Sequence, residues 1–293
     1  MCATCGCSSG GVVRLLVAEH PHDLGRDHRH SDFGYSGHGH AGHGHAEHAH
    51  PDQENAGHGH PPAGELHSLQ APDGPRTIEL QQKVLAKNDE IAAANRAWLA
   101  GRGILAINLM SSPGAGKTTL LEATMRGMAG RVSISVVEGD QETALDASRI
   151  LAAGSKVVQV NTGVGCHLDA DMLARALRVL DPPSGSIVMI ENVGNLVCPA
   201  LFDLGEQARV VLASVTEGAD KPLKYPHMFR QADLVLLNKT DLLPYVDFDV
   251  RDYASGLRKV TPDALFLQVS ATTGDGMQTW FDWLRRRTPV PHE

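Results

Sequence analysis

Apolar residues along this chain recur in two rhythms. Between about Thr77 and Ala100 the residues Leu80, Val84, Ile91 and Trp98 return at helical spacing, which predicts an amphipathic helix stopped near Gly101 and Gly103. After it come short apolar runs of strand length: Ile104–Met110, Val132–Val137, Lys156–Val160, Ser186–Ile190, Val210–Val215, Leu234–Leu237 and Leu265–Val269. Helical patterns intervene at about Lys117–Met128, Thr143–Ala153, Leu168–Leu180, Asp249–Val260 and Met277–Arg287. This alternation predicts an α/β fold: a mostly parallel sheet of about seven strands with helices on both faces. Ligands of such sheets bind beyond the carboxyl ends of the strands.

Upstream of the helix neither rhythm is present. Residues 1–75 hold 13 of the 16 His and 3 of the 26 basic residues, and the first Lys is Lys83. Phe33 and Tyr35 are their only aromatic residues. The run from Gly37 to His50 reads GHGHAGHGHAEHAH, and AGHGHPP follows at Ala56–Pro62. So little apolar surface does not offset chain entropy, so residues 1–75 are expected to be a disordered His-rich tail and residues 76–293 one folded domain. The formal net charge of -8 argues against a nucleic-acid partner, and no apolar run approaches the roughly 20 residues of a membrane span. The first residues show no basic stretch followed by an apolar core, so no secretory signal and a cytoplasmic address are expected. In that compartment the five Cys read as metal ligands or reactive thiols rather than disulfides.

The phosphate-binding signal is Ser111-Ser112-Pro113-Gly114-Ala115-Gly116-Lys117-Thr118-Thr119, placed after a strand and opening a helix. Backbone N–H groups of Gly114, Ala115, Gly116 and Thr119 can turn toward phosphate oxygens at a helix N-terminus. Lys117 reaches the terminal phosphates, and Thr118 suits Mg²⁺. Ser111 stands where the usual pattern has its first Gly. A second motif, Asn238-Lys239-Thr240-Asp241, follows a later strand. Asp241 can accept from guanine N1–H and its 2-amino group, a pattern adenine lacks, so the site selects GTP and GDP. Asn238 is expected on the other base edge, the Lys239 stem over the ring, and Ser270-Ala271-Thr272 is expected to close the pocket with a backbone N–H.

Asp140 and Glu191 end strands. Glu191-Asn192-Val193-Gly194 is a Glu variant of the DxxG switch, so both carboxylates are candidates for holding Mg²⁺ or orienting water. The bland alternative is a surface carboxylate at a strand end. Asn195 stands where Ras-like enzymes have a water-orienting Gln, and no Arg finger is identifiable. Cys166-His167 and Cys198 also fall at strand carboxyl ends. Two thiolates and an imidazole suit Zn²⁺ or Ni²⁺, with one tetrahedral position left open. Alone, each is equally a small buried core residue. Cys2, Cys5 and Cys7 form CxxCxC, which with the terminal amine makes a four-donor set favoured by Ni²⁺ or Cu²⁺. His38, His40, His43, His45, His48, His50, His58 and His60 can bind metal ions weakly. Nickel storage and an inert low-complexity tail both fit such a tract; an expression tag is the third reading, but a tag is normally one contiguous block and these His are scattered from His20 to His67.

Taken together, CxxCxC, SSPGAGKTT, VVEGDQET, Cys166-His167, Glu191-Asn192-Val193-Gly194-Asn195-Leu196-Val197-Cys198-Pro199 and NKTD resemble the HypB family of hydrogenase nickel-incorporation GTPases, of the SIMIBI class of P-loop NTPases. The resemblance implies a high-affinity nickel site at Cys2, Cys5 and Cys7 and a weaker zinc or nickel site at Cys166, His167 and Cys198. It also implies a GTP-dependent homodimer, a HypA-type partner and nickel delivery to the [NiFe]-hydrogenase large subunit. A urease-type nickel GTPase shares the core logic but lacks CxxCxC, and a nickel store with an incidental nucleotide domain is the alternative outside enzymes.

Without a water-orienting Gln or an Arg finger, turnover of the isolated protein is expected at about 10⁻⁴–10⁻² s⁻¹. Phosphate release in single-turnover and steady-state assays measures it, and a rate above about 1 s⁻¹ contradicts the reading.

Overall fold

β-Branched and aliphatic runs pair into one sheet, and the connections between them place helices on its two faces. The computed structural model describes residues 12–16, 75–140, 149–150, 154–163 and 167–289. The strands are β1 Val12–Leu16, β2 Leu105–Ser111, β3 Ile134–Asp140, β4 Lys156–Asn161, β5 Ile187–Glu191, β6 Ala208–Ser214, β7 Leu234–Asn238 and β8 Leu265–Gln268. Their order across the sheet is β1-β4-β3-β5-β2-β6-β7-β8. β2 to β8 are mutually parallel, and β1 runs antiparallel to β4 at one edge. β2 is buried along its whole length near the middle of the sheet, which is where the phosphate motif leaves it.

The long helices are α1 Pro75–Gly101, α2 Lys117–Met128, α3 Ala170–Leu180, α6 Val250–Val260 and α7 Met277–Arg287, with the short α4 Lys221–Lys224 and α5 Pro226–Arg230 between β6 and β7. Of the expected helix at Thr143–Ala153, only Arg149 and Ile150 are described, and both are helical. Alternation along the strands sorts the core. Leu105, Ile107 and Leu109 of β2 pack under α2 and α7, where Leu120, Met125, Trp280 and Trp283 complete the layer. Ala106 faces the other way, toward Leu99 of α1 and Leu173 and Leu177 of α3. A third apolar group under α5 and α6 joins Val211, Leu237, Phe229 and Tyr253. The Trp280 Nε1–H donates to Thr124 Oγ1 at 2.8 Å, so this indole is buried with its one polar atom satisfied.

Two expectations need correction. Residues 1–75 are not uniformly without structure: Val12–Leu16 is a strand. Its sequence, VVRLL, adds to the open edge of β4, and Val13 packs against the α1/α3 layer. Ladder hydrogen bonds and that burial offset the ordering entropy, which isolated composition did not anticipate. The buried stripe of α1 is also not the apolar one. Val84 and Trp98 are exposed, whereas Asn88, Ala92, Asn95 and Leu99 are buried. Asn88 Nδ2 donates to Asp203 O at 2.7 Å, and Asn95 Nδ2 donates to Ala170 O at 2.8 Å and Leu204 O at 3.0 Å. Asn88 and Asn95 lie on the inner face beside Ala92 and Leu99 because their amides satisfy the backbone carbonyls that meet them there. Trp98 stays outside beneath the Arg102 guanidinium, 4.8 Å from its ring.

The α1 face also demands a glycine opposite it. Gly205 has φ +90°, and a Cβ there would sit 2.4 Å from Ala92 O. Gly205→Ala is expected to cost about 2–5 kcal/mol, from left-handed strain plus backbone overlap. Urea unfolding should show the midpoint fall; an unchanged midpoint would mean that α1 does not pack this closely.

Candidate nucleotide and metal site

The phosphate loop leaves β2 at Ser111 and enters α2 at Lys117. The Lys117 ammonium donates to Ser111 Oγ at 2.9 Å, so the residue that replaces the usual glycine orients the lysine. Thr118 Oγ1 donates to Glu191 Oε1 at 3.1 Å, and both residues are buried. A hydroxyl and a carboxylate held together at the start of α2 are an oxygen donor pair of the kind Mg²⁺ takes. Asp140 ends β3, opposite Asn161 of β4; its side chain lies outside the described residues. Glu217, which the sequence reading passed over, accepts from Ser112 Oγ at 2.5 Å and pairs with Lys221 at 3.1 Å. Its signal was its place three residues past the end of β6, at the same rim as the other motifs.

The base-recognition motif is wired to the phosphate loop. Asn238 Nδ2 donates to Ala115 O at 2.9 Å, and Asn238 Oδ1 accepts from the Ala271 N–H at 3.1 Å. Asn238 therefore braces two loops in addition to the base contact expected of it, and the Ala271 N–H is directed at Asn238. Lys239 has φ +62° and donates to Gly114 O at 2.7 Å, which lays its stem beside the phosphate loop. Asp241 Oδ1 accepts from Ser270 Oγ at 2.6 Å, fixing the carboxylate that reads guanine in the expected scheme.

From Glu191 the chain runs through the switch segment to Cys198. The Gly194 backbone lies against the phosphate loop, close enough that a Cβ would stand 3.2 Å from Pro113 Cα. Cys198 opens a turn of 3₁₀ helix, Cys198–Leu201, and is half-buried with a free thiol. The next residue, Phe202, stacks on the His167 imidazole at 3.9 Å between ring centroids and 25° between planes. The structure thus brings His167 against the segment that carries Cys198. Cys166 lies outside the described residues, as do Cys2, Cys5, Cys7 and His38, His40, His43, His45, His48, His50, His58 and His60. Among the described residues no three His, Cys, Asp or Glu side chains gather as a metal-holding group.

Asn192 is the organiser that sequence reasoning missed. Its Oδ1 accepts from the Leu168 N–H at 3.1 Å and the Val193 N–H at 3.0 Å, and its Nδ2 donates to Asn108 Oδ1 at 3.2 Å. One amide therefore fixes the residue after His167 and Val193 within the switch segment. Asn88 of α1 accepts from the Ala170 N–H at 2.9 Å, and Asp169 caps α3 by accepting from the Met172 N–H at 2.7 Å. An Asn directly after a strand-terminal Glu was visible as a motif letter, but its partners are remote in sequence.

Burial holds the His167 imidazole below its ordinary pKa, with the Asp169 carboxylate opposing. The ring is thereby kept neutral, the form in which a nitrogen lone pair can bind a metal.

A parallel sheet with a phosphate loop on its central strand and an NKxD motif two strands along defines a P-loop nucleotide-binding protein. The family model for the CobW/HypB/UreG nucleotide-binding domain matches residues 105–268. The hydrogenase maturation factor HypB of Escherichia coli K12 is 46% identical over 286 residues, 97% of this chain and 98% of that one. Two solved structures are similar: HypB from Archaeoglobus fulgidus, with 39% identity and TM-score 0.66 over 70% of this chain and all of that one, and HypB from Helicobacter pylori in complex with nickel, with 36% identity and TM-score 0.65 over 71% and 99%. The chain belongs to the CobW/HypB/UreG family and, within it, to the HypB hydrogenase maturation factors.

The depressed His167 pKa makes a pH prediction for metal-stripped protein. An unfolded His takes up its proton near pH 6.5, while folded His167 resists until a lower pH, so unfolding binds a proton in that window. Its contribution to stability is complete above about pH 6.5 and is lost as pH falls toward the folded value. His167→Gln should therefore show a smaller loss of unfolding free energy between about pH 7.5 and 5 than the parent. Parallel pH profiles by denaturant titration would contradict this.

Proposed function

We propose that this chain is a GTP-hydrolysing nickel metallochaperone that delivers Ni²⁺ to the large subunit of [NiFe]-hydrogenase, working as a GTP-dependent homodimer with a HypA-type partner in the cytoplasm. One observation carries the reading: a single segment, residues 191–202, touches the nucleotide loop at one end and the imidazole at the other. Glu191 bonds Thr118, Gly194 lies on Pro113, and Phe202 stacks on His167. The nickel complex of the Helicobacter pylori relative supports nickel as cargo.

In this reading Lys117 and the N–H groups of residues 114–119 hold the phosphates, and Asn238, Lys239, Asp241, Ser270 and Ala271 frame guanine. Thr118, Glu191 and Asp140 would hold Mg²⁺, which would supply charge neutralisation at the phosphates. Lys117 orients the γ-phosphate from its seat on Ser111, and Glu191 and Asp140 are the carboxylates able to hold the attacking water. A change at the γ-phosphate shifts Gly194 against Pro113, and the displacement reaches Cys198 along the same backbone. Cys166, His167 and Cys198 bind Ni²⁺ or Zn²⁺, Cys2, Cys5 and Cys7 bind Ni²⁺, and the His-rich tract buffers the supply. Thirteen of the 16 His in residues 1–75 favour a storage role alongside delivery.

Coupling through one segment is reciprocal: metal must alter nucleotide-dependent dimerisation by the free energy with which nucleotide alters metal binding, commonly about 1–3 kcal/mol. Dimer affinity measured with Ni²⁺ and GTP separately and together should be non-additive, and strictly independent effects refute the coupling. In cells, Lys117→Ala should abolish hydrogenase maturation while leaving nickel capacity intact, and deletion of residues 20–67 should do the reverse. Maturation lost only in the deletion would instead favour a store.

A further inference from the structure

A line of hydrogen bonds runs from Lys117 out of the phosphate loop to a carboxylate beyond the end of β6. The Lys117 ammonium donates to Ser111 Oγ at 2.9 Å. Ser111 Oγ gives its own proton to Ser112 O at 2.6 Å, so toward the lysine it can only accept. Ser112 Oγ in turn donates to Glu217 Oε1 at 2.5 Å, and Glu217 Oε2 pairs with Lys221 Nζ at 3.1 Å. Ser111 and Ser112 are buried, and the Glu217 and Lys221 side chains are only 14% and 21% exposed, so water weakens these contacts little.

Glu217 is itself held by the turn that follows β6. Its N–H donates to Ser214 O at 3.0 Å, and the Val215 N–H donates to Asn238 O at 3.1 Å. Ser214 is the register partner of Asn238 on β7. Neighbouring strands thus deliver two braces to one loop: Asn238 holds Ala115 O, and Glu217 holds the Ser112 hydroxyl.

We infer that Glu217 is a positioning residue: through Ser112 and Ser111 it sets the Lys117 ammonium for the terminal phosphates, and Lys221 cancels the charge that Glu217 would otherwise present to them. This rests on the reading of the loop as the seat of GTP phosphates. Without the Glu217 acceptor, Ser112 can turn, its carbonyl no longer fixes the Ser111 hydroxyl, and the lysine loses this seat. Without Lys221, a carboxylate one hydrogen bond from the loop faces the polyphosphate uncompensated. That repels GTP more than GDP, because GTP carries the larger charge.

The test measures the affinity of the full-length chain for GMP, GDP and GTP by displacement of a fluorescent guanine nucleotide, together with kcat and KM for GTP. GMP lacks the phosphates that Lys117 reaches, so it is the internal control. Glu217→Ala and Ser112→Ala should each weaken GDP and GTP about tenfold, leave GMP unchanged and lower kcat. Both remove the same bond, so the double variant should be no worse than either alone. Glu217→Gln keeps an acceptor for Ser112 and should stay within about threefold of the parent. Lys221→Met should weaken GTP more than GDP, and adding Glu217→Gln should restore both. Equal losses for GMP and GTP, a Gln variant as poor as the Ala one, or additive effects of Ser112→Ala and Glu217→Ala overturn the relay. If Glu217→Ala does not fold, Ser112→Ala and the Lys221→Met pair decide the same question. A parent that binds no guanine nucleotide overturns the reading beneath the relay, whereas a parent that binds GTP as well as Ser112→Ala does overturns the relay alone.

Discussion

Everything at the carboxyl rim depends on the register between β2 and β5. Glu191 stands opposite Leu109, and the Asn192 N–H donates to Leu109 O at 3.1 Å. That pairing sends Glu191 to the face covered by α2, where Thr118 meets it, and Asn192 to the face covered by α1 and α3, where Leu168 and Asn108 meet it. Side chains alternate along a strand, so a slip of one residue would exchange the carboxylate and the amide between faces. The nucleotide side would lose its oxygen donor, and the imidazole segment would lose its anchor. Parallel strands buried on both faces make that slip costly, because every neighbouring apolar residue would change layers too.

Both ends of the switch segment are anchored. Asn192 fixes its start through three hydrogen bonds, and beyond its end the Asp203 carbonyl accepts from the Asn88 amide while Arg96 Nη2 donates to both Asp203 carboxylate oxygens at 2.7 Å. Val197 and Leu201, on either side of Cys198, are about half exposed. Pro199 and Ala200 are nevertheless buried, and Ala200 and Leu196 join the third apolar group, so Cys198 sits on a segment tied to the core under α5 and α6. Asn88 and Asn95 of α1, and the Arg209–Glu206 pair at the start of β6, 2.6 Å apart, hold the flanking loops. Leaving any of these partners unpaired would cost about 1–3 kcal/mol.

The rim also gathers elements far apart in the chain. Asn238 reaches across 123 residues to the phosphate loop, and Ser270 steadies Asp241. The loops that carry the two motifs thus brace each other, which makes this part of the rim rigid.

Much of this was legible in the residues themselves. The apolar runs located seven parallel strands to within a few residues, and Lys117–Met128 and Met277–Arg287 match the helices in full. Local periodicity and motif spacing suffice for this because strand burial and phosphate binding are written in consecutive residues. The types and intervals of Lys117, Thr118, Glu191 and Asp241 marked them as candidates, and the structure sets Lys117 on Ser111, Thr118 on Glu191 and Asp241 on Ser270. Tertiary structure decided the rest. It turned α1 onto its Asn face, recruited Val12–Leu16 to an open edge, linked Ser112 to Glu217, and set Phe202 on His167. Each of these depends on partners tens of residues away, and a hydrogen bond or a stacked ring has no period along the chain from which it could be read.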